Sequence, residues 1–213
     1  MSDPLLEVDN LTVQYETEEG MLTAVSNASF TISEGEFFGL AGESGSGKST
    51  MAKSIIGGLD DNGVISEGSI KYRGKRIDQL SDSELSEQIR WKEVSWIPQG
   101  AMSSLDPLQR VSEQALEIGQ VHTDLPDGEI RDKLKTTFDI VGLQKSRIDD
   151  YPHQFSGGMQ QRAIIALALF LEPELVIADE PTTALDVIMQ DQIFKYMDQL
   201  KTELNVSLLL ITH

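Results

Sequence analysis

The 213-residue chain contains no cysteine, which excludes a disulfide framework, a thiolate nucleophile and any Cys-ligated metal. Long apolar runs are missing as well. None approaches the roughly 18 to 20 residues needed to cross a bilayer, and the first residues, Met1-Ser2-Asp3-Pro4-Leu5-Leu6-Glu7, have neither the basic start nor the apolar stretch of a secretion signal. A role at a membrane would come through a partner. Positive charge is scarce: 17 Lys+Arg stand against 35 Asp+Glu, a formal net charge of -18. Spread along the chain, this charge repels a duplex phosphate backbone, so no nucleic-acid partner is expected. It also favours solubility and is tolerated best where salt screens it, although plain acidic drift reads the same way.

What is present is an ordinary globular composition, 39% hydrophobic and 24% charged, and a length that suits one core carrying a smaller inserted lobe. Leu5 to Tyr15 and Ala24 to Ile32 alternate in part with period two around the turn Glu18-Glu19-Gly20, which predicts a small antiparallel sheet. Phe37-Phe38-Gly39-Leu40-Ala41 predicts a buried strand. A glycine-rich loop and a helix from about Lys48 to Ile56 follow, stopped by Gly57-Gly58. Strand and turn signals return between Ser66 and Ile97, with a short helix over Asp82 to Arg90. Val111 to Leu171 is mainly helical and broken at Asp124 to Gly128 and Asp149 to Gly158. Strand, helix and strand then follow at Leu175 to Ala178, Val187 to Leu204 and Val206 to Ile211. The alternation predicts an α/β fold.

Three segments carry chemistry. Gly42-Glu43-Ser44-Gly45-Ser46-Gly47-Lys48-Ser49 has the spacing of a P-loop and lies between a predicted strand and a predicted helix. Glycines let the backbone wrap a phosphate, Lys48 reaches the β/γ-phosphates and Ser49 ligates magnesium. Leu175-Val176-Ile177-Ala178-Asp179-Glu180 is an apolar strand ending in two carboxylates. Beside a P-loop, Asp179 would hold magnesium and Glu180 would take a proton from the attacking water; alone, it is equally a strand before a solvated turn at Pro181. Ser156-Gly157-Gly158 reads as a helix start with Ser156 at the N-cap and a bared backbone that suits an anion. By those residues alone an ordinary capped helix is the commoner case.

Together these stretches resemble the nucleotide-binding subunit of ABC transporters, in the expected order and over nearly the whole chain. The resemblance implies ATP and Mg2+ as cofactors and a nucleotide contact set of Tyr15, Gly42, Glu43, Ser44, Gly45, Ser46, Gly47, Lys48, Ser49 and Thr50. Tyr15 would stack on adenine, although a lone strand tyrosine is more often core. Gln99, in Trp96-Ile97-Pro98-Gln99, matches the glutamine that senses magnesium and the water and links to the transmembrane partner. Ser156, Gly157 and Gly158 match the signature that closes on ATP held by the opposing subunit. Asp186, in Ala184-Leu185-Asp186, matches the residue at the subunit interface, and His213 the switch histidine near the γ-phosphate. The implied catalytic set is Glu180, His213, Gln99 and Lys48, with Ser49, Gln99 and Asp179 around the metal. His122 and His153 read as structural or surface residues.

The implied fold is a P-loop NTPase core with an N-terminal antiparallel β subdomain and an inserted α-helical subdomain. The expectation is one domain over residues 1–213, with core and β subdomain at about 1–100 and 172–213 and the helical subdomain at about 101–171. Within the family, Tyr151-Pro152-His153-Gln154-Phe155-Ser156-Gly157-Gly158-Met159 and Met102-Ser103-Ser104-Leu105-Asp106-Pro107 look like the dipeptide/oligopeptide and nickel importer group, where Met159 is usual in place of the glutamine of the wider family. Relatives continue past the switch histidine, so a C-terminal part is expected to be missing here. The resemblance also implies a second ATPase subunit, identical or different, permease subunits, an extracytoplasmic solute-binding protein acting indirectly, and a place on the cytoplasmic face of the membrane. A soluble ABC ATPase of DNA repair or translation shares these motifs, but the acidic balance and the Gln99 region argue against it. A module that binds ATP without hydrolysing it would not need Glu180 together with His213.

Overall fold

The alternation near the N-terminus becomes a hairpin in the computed structural model, which describes residues 4–181, 190, 195 and 206–212. β1 (Leu6–Thr17) and β2 (Gly20–Ile32) run antiparallel and lead to β3 (Phe37–Ala41). Next come α1 (Lys48–Ile56), β4 (Gly63–Tyr72), β5 (Lys75–Arg76), α2 (Asp82–Gln88) and β6 (Val94–Ile97). The helical stretch resolves into α3 (Val111–His122), α4 (Asp127–Ile140) and α5 (Gly157–Leu169), with 3-10 turns at Lys145–Asp149 and Pro152–Gln154, before β7 (Leu175–Asp179) and β8 (Ser207–Thr212). Of the helix predicted over Val187 to Leu204, only Gln190 and Lys195 are among the described residues, both helical. One sheet is antiparallel in the order β2-β1-β4-β5, and the other has the order β3-β8-β7-β6 with parallel pairing.

Period two in β7 divides its side chains between two cores. Leu175 and Ile177 join the cluster built from the antiparallel sheet and α1, while Val176 and Ala178 join the cluster of the helices. On α4 the residues Ile130, Leu134 and Phe138 repeat every four positions and are fully buried, the stripe of an amphipathic helix. Truncating Phe138 to alanine would cost about 3–5 kcal/mol.

One expectation fails. β3 forms where predicted but is not buried: Phe37 is 41% exposed, and Gly39 and Ala41 are exposed. The cause is its place at the end of the sheet order, where β8 is its neighbour; an apolar run does not reveal whether a strand is central or at an edge. Phe38 finds cover by stacking on Phe30, with ring centres 4.9 Å apart.

Two junctions fix the ends of the elements. At the end of α1, Gly57 takes the left-handed conformation with φ 65°, and Arg90 donates to the carbonyls of Ile56 at 2.8 Å and Gly57 at 2.9 Å; cations suit a helix C-terminus. At the amino-terminal ends of the parallel strands, the Tyr72 hydroxyl donates to Glu174 at 2.7 Å and lies 3.2 Å from Glu93. Arg73 grips both oxygens of Glu174 at 2.7 Å and also pairs with Glu34. This bracket joins β4 to the segments entering β3, β6 and β7. The hydrogen bonds from Arg73 hold the Glu174 carboxyl below its usual range, and burial together with the bond to Glu174 pushes the Tyr72 phenol up.

Candidate active site

The loop after β3 turns back on itself because Gly45 and Gly47 adopt φ of 78° and 89°, a region that side-chain-bearing residues avoid. Its close packing is equally demanding: a Cβ on Gly47 would stand 2.2 Å from the Ala24 carbonyl oxygen. That carbonyl is brought there by a bulge. Val13 faces Val25 but Gln14 faces Thr23, so Ala24 is the extra residue of β2, and such bulges commonly re-aim backbone beside a site.

Lys48 begins α1 and is 8% exposed; its ammonium donates to the carbonyls of Gly42 at 2.7 Å and Glu43 at 2.8 Å. Across the loop, β7 ends at Asp179, 1% exposed, followed by Glu180 at 8%. Glu180 sits at φ 47°, a left-handed conformation that costs a non-glycine residue about 1–2 kcal/mol, and its N–H donates to the Ile211 carbonyl at 3.0 Å. The amide of Gln99 donates to Glu180 Oε2 at 2.8 Å across 81 positions of sequence. The resulting cleft of about 210 Å³ is lined by Ala24, Ser44, Gly45, Gly47, Lys48, Ser49, Thr50, Gln99 and Glu180.

Of the residues predicted from sequence, Ser44, Gly45, Gly47, Lys48, Ser49, Thr50, Gln99 and Glu180 thus meet in one cleft. Gly42 and Glu43 support it from behind through Lys48, and Ser46 lies on the loop; its Oγ would be 3.0 Å from a Cβ on Gly42. Tyr15 is not among the lining residues. It lies on β1 opposite Leu22 and Gly63, with its ring so close to Gly63 that a Cβ there would be 2.7 Å away. Ser156, Gly157 and Gly158 are also elsewhere, at the start of α5 with Gly157 facing Met102. Ser156 holds the N-cap position, but its hydroxyl makes no capping bond; its carbonyl accepts from Met159 and Gln160. Asp186 and His213 lie outside the described residues. Ala24 escapes sequence reading altogether, because an alanine in an alternating strand carries no mark of a bulge.

The donor set suits a metal-nucleotide complex better than a bare ion. Among the described residues no group of three His, Asp or Glu side chains could hold a metal alone, whereas Mg2+ normally takes one or two protein ligands and completes its shell with phosphate oxygens and water. Ser49 and Gln99 line the glycine cradle headed by a helix N-terminus, whereas Asp179, 1% exposed at the end of β7, is not among the lining residues.

A phosphate cradle at the carboxyl end of a parallel sheet, faced by a glutamine and a carboxylate, defines a P-loop nucleotide-binding fold. The chain belongs to the ABC transporter family, matched over residues 25–183. It is 43% identical over 213 residues to the oligopeptide transport ATP-binding protein OppD of Haemophilus influenzae, covering 99% of this chain and 65% of that one. With the protein of the same name from Salmonella typhimurium it shares 44% over 211 residues, covering 98% and 62%. The chain therefore spans a little under two thirds of these relatives. Its fold matches the dimeric structure of the ATP-binding cassette MJ0796 in a post-hydrolysis state bound to ADP and Pi, with TM-score 0.83 and 31% identity over 98% of this chain and 88% of that one.

Proposed function

We propose that this chain is the ATP-binding and ATP-hydrolysing part of a subunit that powers an ABC importer of oligopeptides or related small solutes. The observation that carries the reading is the cleft itself, in which Lys48, Ser49, Gln99 and Glu180 face one space. Magnesium, held by Ser49, Gln99 and Asp179, would supply charge neutralisation at the β- and γ-phosphates. Lys48 exchanges its two loop carbonyls for phosphate oxygens. Glu180 accepts a proton from water as the water oxygen bonds the γ-phosphorus and the bond to the bridging oxygen of ADP breaks; Gln99 orients that carboxylate.

Tyr15 would meet the adenine, and Asp186 and His213 complete the site from beyond the described residues. The helical subdomain at about 101–171 and the core at about 1–100 and 172–213 act as two parts of one domain. Because Ser156–Gly158 stands outside the cleft of its own chain, it serves the cleft of a second ATPase subunit in a head-to-tail pair. ATP then favours the closed pair only by its greater affinity for that state.

Among the described residues no helix is long and apolar enough to cross a membrane, so peripheral attachment to permease subunits at the cytoplasmic face, with a solute-binding protein outside, fits the reading. A cavity of about 460 Å³ beside β6, lined by residues that include Leu59, Arg90 and Trp96, is a candidate place for that attachment. The test is affinity capture of the full-length subunit from detergent-solubilised native membranes. Recovery of polytopic permease subunits is expected; recovery of ribosomes or repair proteins without a permease overturns the transport role.

A further inference from the structure

We propose that Arg147 is the positioning residue of the Ser156-Gly157-Gly158 segment, holding the α5 N-terminus in the attitude needed to meet a nucleotide on the second ATPase subunit. This rests on the head-to-tail reading above. Arg147 lies in the 3-10 turn Lys145–Asp149, and its side chain grips the segment from both sides. Nε donates to Asp150 Oδ2 at 2.6 Å, one terminal nitrogen donates to the Gln154 carbonyl at 2.9 Å, and the other reaches the Met159 sulfur at 3.5 Å. The guanidinium carbon stands 4.7 Å from the centre of the Phe155 ring. Asp150, Gln154 and Phe155 precede the glycines, and Met159 follows them. A planar group with four partners fixes both the position and the rotation of what it touches, which the single ammonium of a lysine does not.

The segment needs such a restraint. Two glycines leave it without side chains to pack, and the Ser156 hydroxyl makes no capping bond. Two further side chains restrain it: Arg162, whose Nε donates to the Gly158 carbonyl at 3.3 Å and whose terminal nitrogen donates to the Gly142 carbonyl at 2.9 Å, and Gln160, whose amide donates to the Pro152 carbonyl at 2.8 Å. Helix stability does not account for Arg147, because a cation near a helix N-terminus opposes the helix dipole. The same charge favours an anion arriving at that end, and Asp150 balances it in the separate subunit. The contact also explains a methionine at 159: its stem packs against the helical core, and its sulfur is a soft acceptor for the guanidinium.

The experiment uses the full-length subunit carrying Glu180→Gln, alone and combined with Arg147→Ala or Arg147→Lys. ATP affinity of the separate subunit is measured first, then the ATP concentration that gives half-maximal dimer by analytical ultracentrifugation. With Arg147→Ala the first quantity stays within about twofold and the second rises about tenfold or more, the loss of a charge-assisted hydrogen bond. Arg147→Lys gives a smaller rise and decides the matter if the alanine variant does not fold. Dimerisation at unchanged ATP in both variants overturns the proposal alone. A parallel loss of ATP affinity in the separate subunit does so too, since the effect is then general. Absence of any ATP-dependent dimer with Arg147 in place overturns the functional reading and the proposal with it.

Discussion

Two helices of this chain begin with glycine-rich segments, and they begin in opposite ways. α1 is entered through left-handed glycines, Gly45 and Gly47, that fold the loop back over its own lysine. α5 is entered from Ser156 in an extended conformation, φ -67° and ψ 163°, with no turn over its end. The first start is enclosed by Gln99, Glu180 and the bulged Ala24; the second has its polar grip behind it, in Arg147. Both bare N–H groups that favour anions. A helix start becomes a complete cradle only when its loop returns and brings counter-groups with it. On the proposed head-to-tail pairing, the other is half a site whose ligand is delivered by another surface.

That contrast can be broken by mutation. The largest effect is expected from Lys48→Ala, which removes the charge inside the cradle: ATP affinity and turnover fall by about 100-fold or more, measured by nucleotide titration and phosphate release. Glu180→Gln separates the two steps. Turnover falls by about 100-fold or more while ATP still binds and a closed dimer accumulates; retained turnover would remove Glu180 from its assigned role.

Smaller effects sharpen the comparison through stability. Gly47→Ala places its Cβ 2.2 Å from the Ala24 oxygen at φ 89°, and should lower stability by about 2–4 kcal/mol in denaturant titration. Gly157→Ala places its Cβ 3.6 Å from the Met102 sulfur, an ordinary contact, and should change stability by about 1 kcal/mol or less while weakening ATP-dependent dimerisation. Equal destabilisation by the two substitutions would dissolve the contrast.

The smallest effect concerns His122, which ends α3 and bonds through Nδ1 to the Ser86 carbonyl at 3.0 Å. Burial holds its pKa below the ordinary value, Lys92 and Arg90 push the same way, and the Ser86 carbonyl pulls against them. The unfolded chain therefore takes up a proton first as pH falls below about 6.5. Stability from this group is complete above that pH and declines below it. His122→Gln should flatten the dependence of the melting temperature on pH below about 6.5.

The sequence shows those parts of the fold in which the local pattern is decisive. Gly42 to Ser49 places the first residue of α1 at Lys48, and the apolar run before Asp179 marks β7 with its carboxylates at the sheet's opening. What depends on neighbours is not legible. Whether Phe37–Ala41 is central or at an edge is settled by strand order, and the bulge at Ala24 by the register of β1. Tyr72, Arg73 and Glu174 form their bracket across about a hundred positions, a distance at which no periodicity acts. The bond from Gln99 to Glu180 lies between these cases. Both residues are legible one at a time, but their meeting belongs to the tertiary structure.

The grip of Lys48 on the carbonyls of Gly42 and Glu43 bears on how fast and how tightly the cradle works. A lysine side chain gives up about 1.5–2 kcal/mol of rotamer freedom when it is fixed, and here that ordering is completed during folding. On the proposed function, an incoming phosphate would meet an ammonium already stationed at the loop, and association would not wait for a search among rotamers.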